Sequence, residues 1–423
     1  MAYQPNPWMV LPFAFWLGFI ALVPHYFPRW WMRHYGKLAF LFSAITIGYY
    51  LLALPTEASK TVLHTGHDYF SFIVLIGSLY VVSGGIQITA PAECGPERKV
   101  CFLFLGGLAA NVIGTTGASM LLIRPWLRLN ESRPAARHVV FFIFIVANIG
   151  GGLTPIGDPP LLLGFLKGVP FWWVMRHCWA PWLLSMGLLL AVFYGLERRD
   201  MGLKGQRELR GRTASGWRWE GLGNLLFLAM IVAAVFVSHP WFLRETLMLG
   251  AAAGSFLTTN KKIHDANQFS FKPVVELGVL FFGIFATMMP ALDWLQGNAQ
   301  TILGTNPSAA LVYWSSGGLS SVLDSAPAYL AFASALGGVF GGSGGLAGLA
   351  GLAQGSAAHL AALSIGTVFF GAVTYVGNGP NLMIKFLAER QGIRAPTFPG
   401  YFFKWAVPIL LPLLLIVRVL FVR

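Results

Sequence analysis

The chain has 423 residues, of which 56% are hydrophobic and only 11% charged, with a mean hydropathy of +0.65, against roughly 25% charged residues in an ordinary soluble domain. That balance excludes a soluble enzyme or binding module and predicts an all-α integral membrane protein. The formal net charge of +13 does not point to nucleic acid, because the basic residues sit in short loops beside apolar runs instead of in one patch interleaved with aromatics.

In chain order, the runs at 11 to 27, 38 to 54 and 70 to 90 come first. Each is about long enough to cross a bilayer, which takes roughly 17 to 25 residues. The first has no basic n-region or small-residue cleavage site and reads as a retained span. His64, His67 and Asp68 have the look of a metal cluster but lack a fourth ligand, and read as a solvated loop. Residues 101 to 123 have basic loops on both sides, with Arg98 and Lys99 before and Arg124, Arg128, Arg133 and Arg137 after. If Lys and Arg mark cytoplasmic loops, this segment enters and returns on one face, and the Gly- and Thr-rich stretch Asn111 to Ser119 suits a hairpin tip.

The run 139 to 166 is interrupted at Thr154-Pro155-Ile156-Gly157-Asp158-Pro159-Pro160, and 174 to 196 closes the first half. The basic stretch 197 to 219 is a cytoplasmic linker, too short to fold alone when roughly 40 residues is the lower limit. Apolar runs follow at 221 to 237, 242 to 257 and 274 to 292. Residues 308 to 336 are flanked by loops without Lys or Arg, 296 to 307 and 337 to 355, and form the counterpart hairpin from the outer face, with its tip at Ser320 to Pro327. The glycine-rich segment 337 to 355 reads as a flexible extracellular connector and not a phosphate loop, because no G-K-[ST] follows it. The run 358 to 387 is broken at Thr374-Tyr375-Val376-Gly377-Asn378-Gly379-Pro380, and 402 to 420 ends the chain.

The two interrupted segments share Thr, Gly, Asp or Asn, and Pro, 220 positions apart. Gly and Pro break a membrane helix, and lipid tolerates freed carbonyls only where they face protein, water or an ion. Paired broken helices in two halves are the best sequence pointer to a transporter's binding site. The expected architecture is about ten transmembrane helices plus two re-entrant hairpins in an inverted repeat, multi-pass in the plasma (inner) membrane, with both termini outside. The organisation is 1–100 first-half scaffold, 101–196 first-half transport segment, 197–219 linker, 220–300 second-half scaffold and 301–423 second-half transport segment.

Candidate ion- or substrate-binding residues gather at these tips and breaks. Asn111, Thr115, Thr116, Ser119, Asn148, Thr154 and Asp158 serve the first, and Ser321, Asp324, Ser325, Thr374, Asn378 and Asn381 the second. Their carbonyl, hydroxyl and carboxylate oxygens suit a hard cation such as sodium. Asp158 and Asp324 are the proton-carrier candidates, since a charge at mid-membrane persists only when function or a partner compensates it. Capping of the following half-helix is the structural alternative for both. Cys94, Cys101 and Cys178 show no C-x-x-C spacing and read as packing residues.

Asn148 to Pro160, with Gly114 to Ser119, Leu323 to Pro327 and Tyr375 to Asn381, closely resembles the pattern of citrate-transport and sodium:proton-antiporter-like proteins of the ion transporter superfamily. The similarity spans about residues 65 to 405. It implies a homodimer of scaffold and transport domains, moving as an elevator, with coupling ions and substrate held near the midplane. The dicarboxylate-carrying branch has a similar layout but Ser-Asn-Thr at both hairpin tips, which neither tip here reproduces.

The leading functional expectation is a secondary antiporter exchanging protons for sodium or a similar cation. The alternative is a cation-coupled carrier of citrate or another organic anion, for which neither break shows an Arg or Lys. An intramembrane aspartyl protease would need Gly-x-Gly-Asp, which Pro155-Ile156-Gly157-Asp158 does not supply. No nucleotide motif supports ATP-driven transport. No cofactor is expected beyond sodium or protons as coupling ions, and the expected partners are membrane lipid, a small ion or organic acid and a second copy, without nucleic acid.

Overall fold

The computed structural model describes residues 5–91, 94–131, 135–210, 216–237, 240, 242–340, 348–390 and 392–422; Arg133 and residues 341–347 of the glycine-rich connector lie outside them. The chain opens with α1 (Leu11–Tyr26), α2 (Pro28–Leu52) and α3 (Ala58–Gly84), followed by strand β1 (Gln87–Thr89). The next helix, α4 (Pro96–Leu129), doubles back at Gly114, whose φ of 75° and ψ of 154° no helical residue adopts. A Cβ on Gly106 would meet Leu122 at 3.2 Å, and the rings of Phe102 and Trp126 stack at 5.6 Å. In a straight helix those rings would stand about 36 Å apart. The first expected hairpin is therefore present, with its tip at Gly114.

The first broken helix consists of α5 (Ala136–Ile145), a turn at Ile149–Gly151, and α6 (Pro159–Leu166). Every residue from Val139 to Ala147 is fully buried, so α5 presents no face to lipid. Asp158 precedes Pro159 and Pro160, which start α6 without needing the amide hydrogens they lack. The long α7 (Trp173–Arg210) returns, and β2 (Arg218–Glu220) pairs antiparallel with β1, with Ile88 opposite Trp219. This short ribbon is an addition to the all-helical expectation.

The second half contains α8 (Asn224–Ala234), α9 (Leu243–Thr258), α10 (Lys261–Ala266), α11 (Lys272–Gly297) and α12 (Ala299–Leu303). The run 221 to 237 falls short of a full span as a helix, since α8 holds only 11 residues. The second hairpin is α13 (Ala309–Val322) and α14 (Ser325–Phe340), turning at Asp324. Its two ends meet at His359, which bonds the Pro307 carbonyl at 2.7 Å and lies against the Phe340 ring at 4.8 Å. Residues 348 to 355, expected as flexible connector, form α15 (Gly348–Gly355), bent by 116° from α16 (Ala357–Phe370). Ala and Leu in this part supply the helix propensity that the glycines lack. The second break separates α16 from α17 (Gly379–Arg390), and α18 (Phe398–Phe421) ends the chain with a π-helical stretch at Phe402–Leu410.

Among the described residues, seven helices are long and apolar enough to cross a membrane, or eight if the bent pair counts as one. One of the seven is the doubled-back α4. Shorter apolar helical segments lie at Ala136–Gly151, Asn224–Ala234 and Ser325–Phe340. Large apolar side chains such as Leu52, Leu226, Leu257 and Phe403 are exposed on α2, α8, α9 and α18, as lipid-facing surfaces require.

A buried ionic cluster fastens the first hairpin to its neighbours. Glu197 on α7 accepts from Lys99 at the start of α4, from Arg137 at 2.8 Å and from the His138 Nε2 at 3.0 Å. The Ala135 amide donates to His138 Nδ1, which fixes the proton on the Nε2 that faces Glu197. Arg137 also pairs with Asp200. Hairpin, broken helix and closing helix are thus joined at their common end.

Candidate functional site

Each hairpin tip docks onto the break of the helix that follows it, and the two dockings match bond for bond. The Thr154 hydroxyl donates to the Asn111 carbonyl at 2.5 Å, and the Thr374 hydroxyl donates to the Ser321 carbonyl at 2.5 Å. Each hydroxyl also accepts from the glycine amide three residues on, Gly157 or Gly377, at 3.1 Å. The tip amides complete the pattern, with Thr115 donating to the Gly157 carbonyl at 2.7 Å and Ser325 to the Gly377 carbonyl at 3.1 Å. Freed carbonyls at both breaks therefore find partners within the protein, as a membrane interior demands. Gly157 is required by packing, because a Cβ there would fall 2.0 Å from the Gly151 carbonyl.

The two breaks also bind one another. Asn378 donates to Asp158 Oδ1 at 3.0 Å, to the Asn148 Oδ1 at 3.2 Å and to the Ala147 carbonyl at 3.2 Å. Asn148 in turn donates to Asn381 Oδ1 and to the Ile143 carbonyl, both at 2.8 Å. Asn381 spends its own amide on the Gly371 and Thr374 carbonyls. Asn111 is likewise consumed, donating to the Gly107 and Gly150 carbonyls while its oxygen accepts from the Leu153 amide. These asparagines staple irregular backbone together.

Asp158 is 1% exposed, and its Oδ1 accepts from Thr115 at 2.9 Å as well as from Asn378. Its side chain caps no amide of α6, so the capping alternative for Asp158 does not describe this geometry. Oδ2 is buried with no hydrogen-bond partner. Beside it lies a cavity of about 20 Å³, lined by Gly114, Thr115, Thr116 and Gly157 and by Leu75 and Leu79 of α3. That is room for about one water or one small ion. A buried carboxylate oxygen without a donor calls for a proton, a water or a cation.

Asp324 occupies the second tip, where the first has Gly114, and here the capping alternative holds: Oδ1 accepts from the Ala326 amide at 3.1 Å, and the Gly379 amide also bonds the carboxylate. Ser321 donates to the Gly318 carbonyl at 2.7 Å. The hydroxyls of Ser119 and Ser325 are buried without a partner. All the candidates but Ser119 thus belong to the two tips and breaks, with an unpartnered oxygen at Asp158 and Ser325; Ser119 lies further along α4 and bonds none of them.

Three features were not legible in the sequence. Glu245 on α9 is a further buried acid, 2% exposed and matched by Arg244 at 2.7 Å and Ser71 at 2.6 Å; Asp293 on α11 accepts from Tyr50 at 2.6 Å. The third is Lys385 on α17, which lies 5.9 Å from the centroid of the Tyr375 ring and is paired with Glu389 one turn on at 2.7 Å, so it brings no unmatched positive charge to the second break. His64, His67 and Asp68 do not gather into a cluster: Asp68 is paired with Lys167, and among the described residues no three His, Cys, Asp or Glu side chains stand together as metal ligands would.

The profile of the family described as "Putative citrate transport" matches residues 3–422. The protein named "Uncharacterized transporter Mb2703" of Mycobacterium bovis is 24% identical over 386 residues, covering 82% of this chain and 86% of that protein. "Uncharacterized transporter Rv2684" of Mycobacterium tuberculosis gives the same identity and coverage.

Proposed function

The chain belongs to the family described as "Putative citrate transport", a family of membrane transporters, and from that premise we propose that it is a secondary active transporter exchanging protons for sodium or a similar cation. The observation that carries this reading is the unpartnered, buried Oδ2 of Asp158 beside a cavity of ion size. A proton and a cation compete for that oxygen, and Thr115, Thr116 and the backbone at Gly157 offer further oxygens to the cation. Asp324, at the tip that docks on the second break through Ser325 and Gly377, is the second carboxylate of this region.

The cavity sits where α3 meets the first hairpin and broken helix. Movement of 101–196 with 301–423 as one body against the remaining helices would carry the site between the two faces, the elevator form of alternating access. The cross-break bonds of Asn148, Asn378 and Asn381 support such a single body.

A second reading, a cation-coupled carrier of citrate or another organic anion, is favoured by the family's description. Proteoliposomes with a pH dye inside distinguish the two. Addition of sodium or lithium alone should move protons in the exchanger, whereas a response that waits for citrate assigns the protein to the anion carriers.

A further inference from the structure

Glu245, the buried acid of α9, also reports how deep that helix begins. Its carboxylate accepts from Ser71 at 2.6 Å, and Ser71 lies about 20 Å along α3 from that helix's first residue, Ala58, at 1.5 Å per residue. The helices α8 and α9 have 11 and 16 residues, lengths of about 16 and 24 Å beside a hydrocarbon core about 30 Å thick. A depression therefore remains above the start of α9, beside the long outer half of α3. It measures about 780 Å³.

One wall is polar. Lys60, His64 and His67 recur at helical spacing on α3 and line the depression, with Lys60 and His64 exposed. The rest is apolar, built chiefly by Phe70, Phe242 and Leu249, and the Phe70 and Phe242 rings meet at 5.9 Å. Glu245 adds no free negative charge, because Arg244 and Ser71 already satisfy it. The groove thus pairs a basic rim with an apolar floor at membrane depth.

We propose that this groove binds an anionic phospholipid, its headgroup phosphate held by Lys60 and His64 and an acyl chain laid against Phe70, Phe242 and Leu249. The charge favours this occupant over a second copy of the chain, since a twofold contact here would bury the basic rims of both copies while the one carboxylate lining the groove, Glu245, is already paired. The apolar floor favours it over free phosphate.

The test uses the full-length protein, delipidated in detergent and then given phosphatidylglycerol, phosphatidylcholine or inorganic phosphate, with retained lipid read by native mass spectrometry and stability by thermal unfolding. Phosphatidylglycerol should be retained and should stabilise the protein more than phosphatidylcholine, while phosphate does neither. Lys60→Ala should weaken retention about fivefold, the worth of one basic residue at a membrane surface, and Lys60→Arg should preserve it. Equal retention of the two lipids, reproduction of the effect by phosphate, or unchanged binding in a Lys60→Ala/His64→Ala double variant would overturn the proposal. So would cross-linking of Leu63→Cys between copies in the bilayer, which would give the groove to a partner chain.

Discussion

The side-chain amide of Asn378 donates to the carboxylate of Asp158 at 3.0 Å, across 220 residues of sequence. These two residues hold equivalent places in the two breaks, so the carboxylate of one half is oriented by the amide of the other. Thr115 adds a second donor to the same oxygen, and the remaining oxygen is left for a proton or an ion.

Asp158→Asn should fold normally, because the amide keeps the shape and can still accept from Thr115 and Asn378 through its oxygen. It cannot ionise. Sodium- or lithium-dependent proton flux in proteoliposomes should fall to background at unchanged melting temperature. Full flux in a well-expressed Asn variant would remove Asp158 from the transport chemistry.

Asn378→Ala removes one of the two donors to Asp158 and the link between breaks. Hydrogen bonds to charged groups contribute roughly 1.5 to 3 kcal/mol, so the apparent affinity for the transported cation should weaken about tenfold or more. The concentration dependence of flux reads this directly, and an unchanged half-saturation would show that the bond orients nothing.

Asp324 needs two substitutions, because it caps α14 whatever else it does. Asp324→Asn keeps the accepting oxygen, whereas Asp324→Ala should cost about 1 kcal/mol as a lost cap. An ion ligand predicts impaired flux in both variants. A residue that only caps predicts a lower melting temperature in the Ala variant and normal flux in the Asn one.

Glu197→Ala leaves Lys99 and Arg137 without the carboxylate they share in a buried setting. Breaking a buried ion pair by removing one partner costs roughly 3 to 5 kcal/mol. The variant should melt earlier, and the double variant Lys99→Met/Glu197→Leu should recover much of the loss. Equal instability in the double variant would mean the cluster does more than neutralise charge.

The first hairpin is checked by labelling exposed Arg98→Cys and Glu131→Cys, after replacing the exposed Cys101 and leaving the buried Cys94 and Cys178. Both positions should react with an impermeant reagent from the same side of the membrane. Reaction from opposite sides would contradict the fold-back at Gly114.

The sequence by itself determined the helical membrane class, both hairpins and both breaks, because hydropathy, loop charge, and Gly and Pro are local signals that a bilayer enforces strictly. Thr154 and Thr374 could be paired by their motif alone. Only the tertiary structure decided what each polar side chain does. Asn111, Asn148 and Asn381 proved to be staples for irregular backbone, while Asp158 turned away from the cap its position suggested and kept one oxygen free. A side chain's partners come from residues hundreds of positions away, and no local pattern records them. The short span of α8 and the clamp on Glu197 arise the same way, from which helix happens to stand beside which.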